Sequence, residues 1–355
     1  MARILFSAYL ILLSHIVFAK QPVLKLFKAD DPRIQYFGRI DFTNKLKPKF
    51  WSPGVYIRVK FKGSDCEMLL NDEVKDGNTH NYIEVAVDDQ PSYRVQTTGK
   101  ANVIKVAAGL PNEVHIVTIC KDTESGIGYL EFTGIRCEQL LQPPSKPTRK
   151  IEYIGDSITT GTGIDVAASP CNTGAWYDQH NAYRSYGAIT SRALNAQWQL
   201  TAVAGIGLTH SCCNMDIVMP DVFDKTLLRD NKLPWDFRRY QPDVVTICLG
   251  QNDGVQDSTL FCSAYVKFIQ TVRKRYPNAD IICLSSPMAN DALRAAMHKY
   301  LTGVVAYVNN AGDKKVSKYF FSKRFYHGCG THPDMDEQRQ IATELTVCIK
   351  NAESW

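Results

Sequence analysis

The chain changes its pattern of apolar and polar positions near residue 150. From about residue 30 to 141 the two kinds of position alternate in short runs. Val55–Phe61, Tyr82–Val87, Val114–Ile119 and Tyr129–Ile135 each read as a half-buried strand, because successive side chains of a strand point to opposite faces. Turn-forming clusters separate them at Lys62–Asp65, Asp88–Pro91, Gly109–Asn112 and Glu124–Gly126. Strands of this length and spacing predict an all-β sandwich or jelly roll. Gln142 to Arg149 is proline-rich and polar, and predicts a stiff linker over 142–149.

Beyond the linker, strands alternate with helices. Ile151–Ile154, Trp198–Val203, Asp243–Leu249 and Asp280–Ser285 read as strands, the last two as nearly unbroken apolar runs covered on both faces. Ala182–Leu194, Ser258–Tyr276, Ala289–Val308 and Asp336–Lys350 carry helical patterns, and Pro277 stops the second. This grammar predicts a parallel sheet in a three-layer α/β domain over 150–355.

The N-terminus has a different character. Met1-Ala2-Arg3 is a short basic start, and Ile4 to Phe18 is mostly apolar. That run of about 15 residues is short of the roughly 20 a spanning helix needs. Val17-Phe18-Ala19 suits a signal peptidase, so residues 1–19 read as a cleaved signal peptide and the mature protein as secreted or periplasmic, without a membrane span. The formal charge of +5 is small for 355 residues, and the basic residues are scattered, which argues against nucleic-acid binding. Among the 11 cysteines, Cys248 and Cys283 fall in apolar strands and read as core, while Cys171, Cys212, Cys213, Cys262 and Cys329 lie in or near loops and are the better disulfide candidates. No Cys-x-x-Cys pair or His-rich cluster suggests a metal, and no cofactor is expected.

Candidate chemistry gathers at the strand exits. Gly155-Asp156-Ser157 follows the first strand of the α/β half, Gly205 the second, and Gly250-Gln251-Asn252-Asp253 the third. In an open parallel sheet these loops share the edge where ligands bind. Ser157 is a candidate nucleophile, and also a good helix N-cap. A base must take its proton, and His332, in a loop before the last helix, is the candidate; His180 and His210 are its rivals. The Ser157 and Gly205 N–H groups and the Asn252 amide could receive an oxyanion. Trp176, Tyr177, Tyr183 and Trp235 lie in or near the surrounding loops, where aromatic faces could stack on sugars or simply pack. No substrate-binding residue can be chosen among them.

The blocks Gly155-Asp156-Ser157-Ile158-Thr159, Gly205, Gly250-Gln251-Asn252-Asp253 and His332-Pro333 resemble those of the SGNH hydrolases. With a β domain in front and Asn181–Ile189 between the first two blocks, the chain resembles carbohydrate esterase family 2 more narrowly. The resemblance implies a flavodoxin-like hydrolase domain behind a β-sandwich. It also implies removal of O-acetyl groups from plant cell-wall polysaccharides such as xylan or glucomannan, through an acyl-serine, with Ser157 as nucleophile, His332 as base, and Ser157, Gly205 and Asn252 as the oxyanion hole. One departure stands out. Many SGNH enzymes place an aspartate two or three residues before the histidine, where this chain has Gly330 and Cys329. A Ser–His dyad is expected, the imidazole being oriented by something else, such as a backbone carbonyl. Asp334 and Asp336 follow His332 and suit the cap of the last helix. A lipase- or thioesterase-like hydrolase and a non-catalytic carbohydrate-binding protein are the competing readings.

Overall fold

The alternating runs pair into one antiparallel sheet. The computed structural model describes residues 23–229 and 232–355, so the expected signal segment lies outside the described residues. The N-terminal strands are β1 (Lys25–Lys28), β2 (Gln35–Phe37), β3 (Lys49–Phe50), β4 (Tyr56–Asp72), β5 (Tyr82–Val87), β6 (Tyr93–Gln96), β7 (Ala101–Ala107), β8 (Glu113–Lys121) and β9 (Leu130–Leu141). They join in the order β1-β9-β4-β8-β5-β6, with β2 and β7 also on β4 and β3 on β9. The turn expected at Lys62–Asp65 is instead a bulge inside β4. Register against β9 shifts between Lys62 and Cys66, and Gly63 takes φ +137°. Ladder pairing on both sides overrides the local turn chemistry. The first half of β4 pairs with β8 and the second with β7, so one strand runs through both halves of the domain. Val59, Phe61, Met68, Val85, Val117 and Phe132 pack inside it.

The second half is a parallel sheet with helices on both faces. Its strands are β10 (Arg149–Gly155), β11 (Ala196–Ala202), β12 (Val244–Cys248), β13 (Asp280–Leu284) and β14 (Val316–Tyr319), in the order β11-β10-β12-β13-β14. The helices are α1 (Ser157–Thr160), α2 (Tyr186–Ala193), α3 (Met219–Val222), α4 (Ser258–Arg275), α5 (Asp291–Asn310) and α6 (Met335–Glu353). Val245, Ile247, Ile281 and Cys283 face the layer of α3, α4 and α5, while Val244, Cys248, Ile282 and Leu284 face that of α2 and α6. Both faces of β12 and β13 are therefore covered, which is why their sequences do not alternate. The flavodoxin-like strand order reverses at β10, the position where such sheets open a ligand crevice.

The two halves share a polar, buried seam. Arg39 and Glu152, both fully buried, pair at 3.0 Å, and Arg39 also donates to the Phe223 and Lys225 carbonyls at 2.6 and 2.7 Å. The Trp198 indole N–H donates to the Gly54 carbonyl at 2.9 Å.

Candidate active site

Strand register brings the candidate residues to one edge. Gly155, at the end of β10, lies opposite Ala202 of β11 and Cys248 of β12, so three chains leave the sheet side by side. Asp156 caps α1 by accepting from the Ile158 N–H at 3.0 Å, and Ser157 begins that short helix. A side chain at position 155 would put its Cβ 2.1 Å from the Thr159 Oγ1, so only glycine admits this tight strand-to-helix turn.

His332 arrives from the far end of the chain. Asp334 caps α6 with a reciprocal Glu337 contact, fixing the residues just behind the imidazole. Gln338, one turn into α6, accepts from the Tyr186 N–H at 2.8 Å and donates to the Ile158 carbonyl at 3.4 Å, tying α6 to the segment carrying Ser157. The result is a hydrogen bond of 2.8 Å between Ser157 Oγ and His332 Nε2. On the other side of the ring, Nδ1 lies 3.0 Å from the Cys329 carbonyl oxygen. A carbonyl can only accept, so Nδ1 carries the proton and the Nε2 lone pair faces the serine. The group that orients the imidazole is thus a backbone carbonyl, with Gly330 and Thr331 between. Burial holds the His332 imidazolium disfavoured, below the ordinary histidine pKa, while its hydrogen bonding to the Cys329 and Gly330 backbone opposes that.

The three oxyanion candidates meet different circumstances. Neither the Ser157 nor the Gly205 N–H has an acceptor among the described residues. Gly205 has φ +84°, and a Cβ there would lie 2.8 Å from the Cys212 sulfur, so glycine is required on both counts. Asn252 stands beside them, with its amide donating to the Ile206 carbonyl at 2.9 Å and, at 3.4 Å, to Asp156. The longer of those bonds is the one an anion could displace. Asp156 is buried, which pushes its carboxyl up to about 7, with the nearby Asp253 charge adding to the rise.

Two carboxylates that the sequence did not single out for a role shape the loop after β11. Asp253 accepts from the Leu208, Thr209 and His210 N–H groups and from the Thr209 hydroxyl, at 2.6 to 3.1 Å. Glu124, from the β domain, accepts from the Ala204 N–H at 2.6 Å, one residue before Gly205. The pair Asn-Asp after a strand signals a turn, but not that its carboxylate gathers a second loop.

The rival histidines are engaged otherwise. His210 is exposed. His180 is fully buried against the Trp176 ring, and burial holds it well below the usual histidine pKa. Of the four aromatics, Tyr177 and Trp235 are buried and Tyr183 packs under Arg192. Trp176 is 58% exposed and lines a cleft of about 360 Å³ with Thr162, Gln179, Cys329 and His332. The cysteines pair as Cys171–Cys329 and Cys212–Cys213. Cys262, expected near a loop and available for a disulfide, is a free thiol on α4. The helical pattern of Ser258–Tyr276 includes it, and it packs against the α/β core.

The β domain matches the family model for the N-terminal domain of carbohydrate esterase 2 over residues 36–144, and the GDSL-like lipase/acylhydrolase model matches residues 153–319. The chain is 30% identical over 343 residues to an acetylxylan esterase / glucomannan deacetylase of Cellvibrio japonicus (strain Ueda107), covering 92% of this chain and 91% of that protein. The chain belongs to carbohydrate esterase family 2. This family 2 esterase is also 33% identical to the cellulase/esterase CelE of Acetivibrio thermocellus, over 92% of its own length but only 40% of that longer protein. A family two carbohydrate esterase from Clostridium thermocellum, solved in complex with cellohexaose, superposes with a TM-score of 0.83 at 32% identity, over 91% of this chain and 99% of that one. One from Cellvibrio japonicus superposes at 0.84 and 27%, over 94% and 99%. The GDSL-like match in this esterase stops before His332, so the place of that histidine rests on its contact with Ser157.

Proposed function

We propose that this family 2 esterase is exported and removes O-acetyl groups from plant cell-wall polysaccharides, xylan or glucomannan, through an acetyl-serine intermediate. The observation that carries the reading is the 2.8 Å contact of Ser157 Oγ with a neutral Nε2 whose ring is held from the other side. Ser157 Oγ attacks the acetyl carbonyl carbon and its proton passes to Nε2. The carbonyl oxygen becomes an oxyanion, received by the Ser157 and Gly205 N–H groups and by the Asn252 amide once it turns from Asp156. His332 then gives that proton to the sugar oxygen as its bond to the acetyl carbon breaks, so that the sugar leaves as a hydroxyl. Water, deprotonated by the same nitrogen, attacks the acetyl-serine; the Ser157 Oγ–acetyl bond breaks, Oγ takes the proton back from Nε2, and acetate is released. The exposed face of Trp176, beside His332, gives a pyranose ring a surface to lie on. The relatives that deacetylate xylan or glucomannan, and the one solved with cellohexaose, support a β-linked glycan as substrate.

Acetate release from acetylated xylan and acetylated glucomannan, measured beside hydrolysis of p-nitrophenyl esters of increasing chain length, tests this. The reading expects release from at least one glycan and a steep fall beyond short acyl chains. A preference for long acyl chains, with neither glycan deacetylated, would replace it with the lipase-like reading.

A further inference from the structure

The carbonyl that steers His332 belongs to a disulfide-bonded residue. Cys329 is joined to Cys171, across 158 positions of sequence. Cys171 lies in the stretch from residue 161 to 181, which contains no helix or strand. Cys329 also donates its N–H to the Gly163 carbonyl at 2.9 Å, so it is gripped against the segment just beyond Ser157. Between Cys329 and His332, Gly330 and Thr331 both take φ +61°. For threonine, a β-branched residue, that conformation is strained and persists only where its surroundings enforce it. The tight turn returns both the His332 N–H, at 3.2 Å, and Nδ1, at 3.0 Å, to the same Cys329 oxygen.

We propose that the Cys171–Cys329 disulfide is the positioning device for His332: it holds the strained Cys329–His332 turn, so that the Cys329 carbonyl fixes the imidazole tautomer where related hydrolases use an aspartate. The inference rests on the Ser157–His332 reading above. A neutral carbonyl attracts the N–H less than a carboxylate does, so rigidity must supply what charge does not. Released from the tether, the turn relaxes to ordinary backbone angles and Nδ1 loses its acceptor. The ring then also populates the tautomer with Nε2 protonated, which cannot accept from Ser157. Among the described residues no carboxylate contacts the imidazole. The titratable group in its field is His180, whose imidazolium burial disfavours, with the Arg94 and Lys121 charges acting in the same direction.

The experiment compares wild type with Cys171→Ala, Cys329→Ala and the double variant, on p-nitrophenyl acetate, well below their melting temperatures. Expected is a fall in kcat of at least about tenfold, within the roughly 10²–10⁴ that a positioned base contributes. KM should stay within about twofold. The double variant should be no worse than either single one, since both remove one tether. The acid limb of the kcat profile should move to lower pH, because the imidazolium loses its acceptor. Histidine ¹⁵N spectra should show the Nδ1–H form in wild type and a mixture in the variants. Folded variants with wild-type kcat, acid limb and tautomer overturn the proposal. So does a loss of rate that only tracks the unfolded fraction. If the variants do not fold, wild type is reduced stepwise with dithiothreitol and its thiols mapped by mass spectrometry. Rate must then fall with opening of Cys171–Cys329 rather than Cys212–Cys213, and return on reoxidation; full rate in the opened, folded enzyme overturns the proposal. An inert wild type would strike the esterase reading, and the tautomer spectra would still decide this one.

Discussion

Ser157 can act only while the ring facing it is neutral, and burial sees to that. Because burial lowers the His332 pKa, the base is still neutral somewhat below pH 6.5, the usual histidine value. Activity should therefore rise with pH through a midpoint under about 6.5 and level off above it, as read from kcat/KM on p-nitrophenyl acetate. A midpoint above 7 would mean that some group stabilises the imidazolium instead. At this scale the sequence was partly legible. Gly155-Asp156-Ser157 and His332-Pro333 are short words with a recognisable order, and the serine and histidine do meet. The acceptor for Nδ1 was not legible, because every residue has a carbonyl. Which one is presented depends on the left-handed angles of Gly330 and Thr331 and on a disulfide partner far away in sequence.

Elements act here by delivering loops. β10, β11 and β12 end in register, and the loops leaving them are shaped by carboxylates as much as by the strands. Asp253 gathers four donors of the 208–210 segment, so Asp253→Asn removes a charged acceptor from all of them at once. A loss of about 2 kcal/mol is expected, seen as a fall in melting temperature of about 5 °C. With Gly205 less firmly placed, kcat should fall by about tenfold. A calorimetric scan and one assay check both, and an unchanged kcat would separate this loop from the oxyanion site. The helices and buried strands of the α/β half were legible because period 3.6 and unbroken apolar runs are strong signals. The β domain was less so. Lys62-Gly63-Ser64-Asp65 has turn composition, yet β4 passes through it as a bulge; β6 is only four residues long, and β7 breaks the alternation by exposing Val103 and burying Asn102.

The whole molecule is held by a seam that no single segment announces. Arg39 sits in the β domain and Glu152 in the first strand of the other, with neither exposed. Truncating one partner strands the other charge in a dry interior, at a cost of about 3–5 kcal/mol. Arg39→Met should therefore destabilise by that much in urea unfolding, and adding Glu152→Gln should recover part of it. If the single variant loses under about 1 kcal/mol, the seam is not what joins the halves. The same seam gives the β domain a part in the site: Glu124 holds the Ala204 N–H beside Gly205, so cutting at the linker would also free that loop. A change in grammar at 142–149 was visible along the chain, but the pairing of Arg39 with Glu152 spans 113 residues and depends on how two finished domains meet.

The central claim is that Ser157 and His332 form one catalytic unit. The most direct measurement is kcat/KM on p-nitrophenyl acetate for wild type, Ser157→Ala, His332→Ala and the double variant, each shown to be folded by circular dichroism. The account predicts clear wild-type activity, a loss of about 10³-fold or more in each single variant, and little further loss in the double, because the residues of such a unit are not additive. A folded wild type without activity, or a Ser157→Ala variant that keeps the wild-type rate, would contradict it.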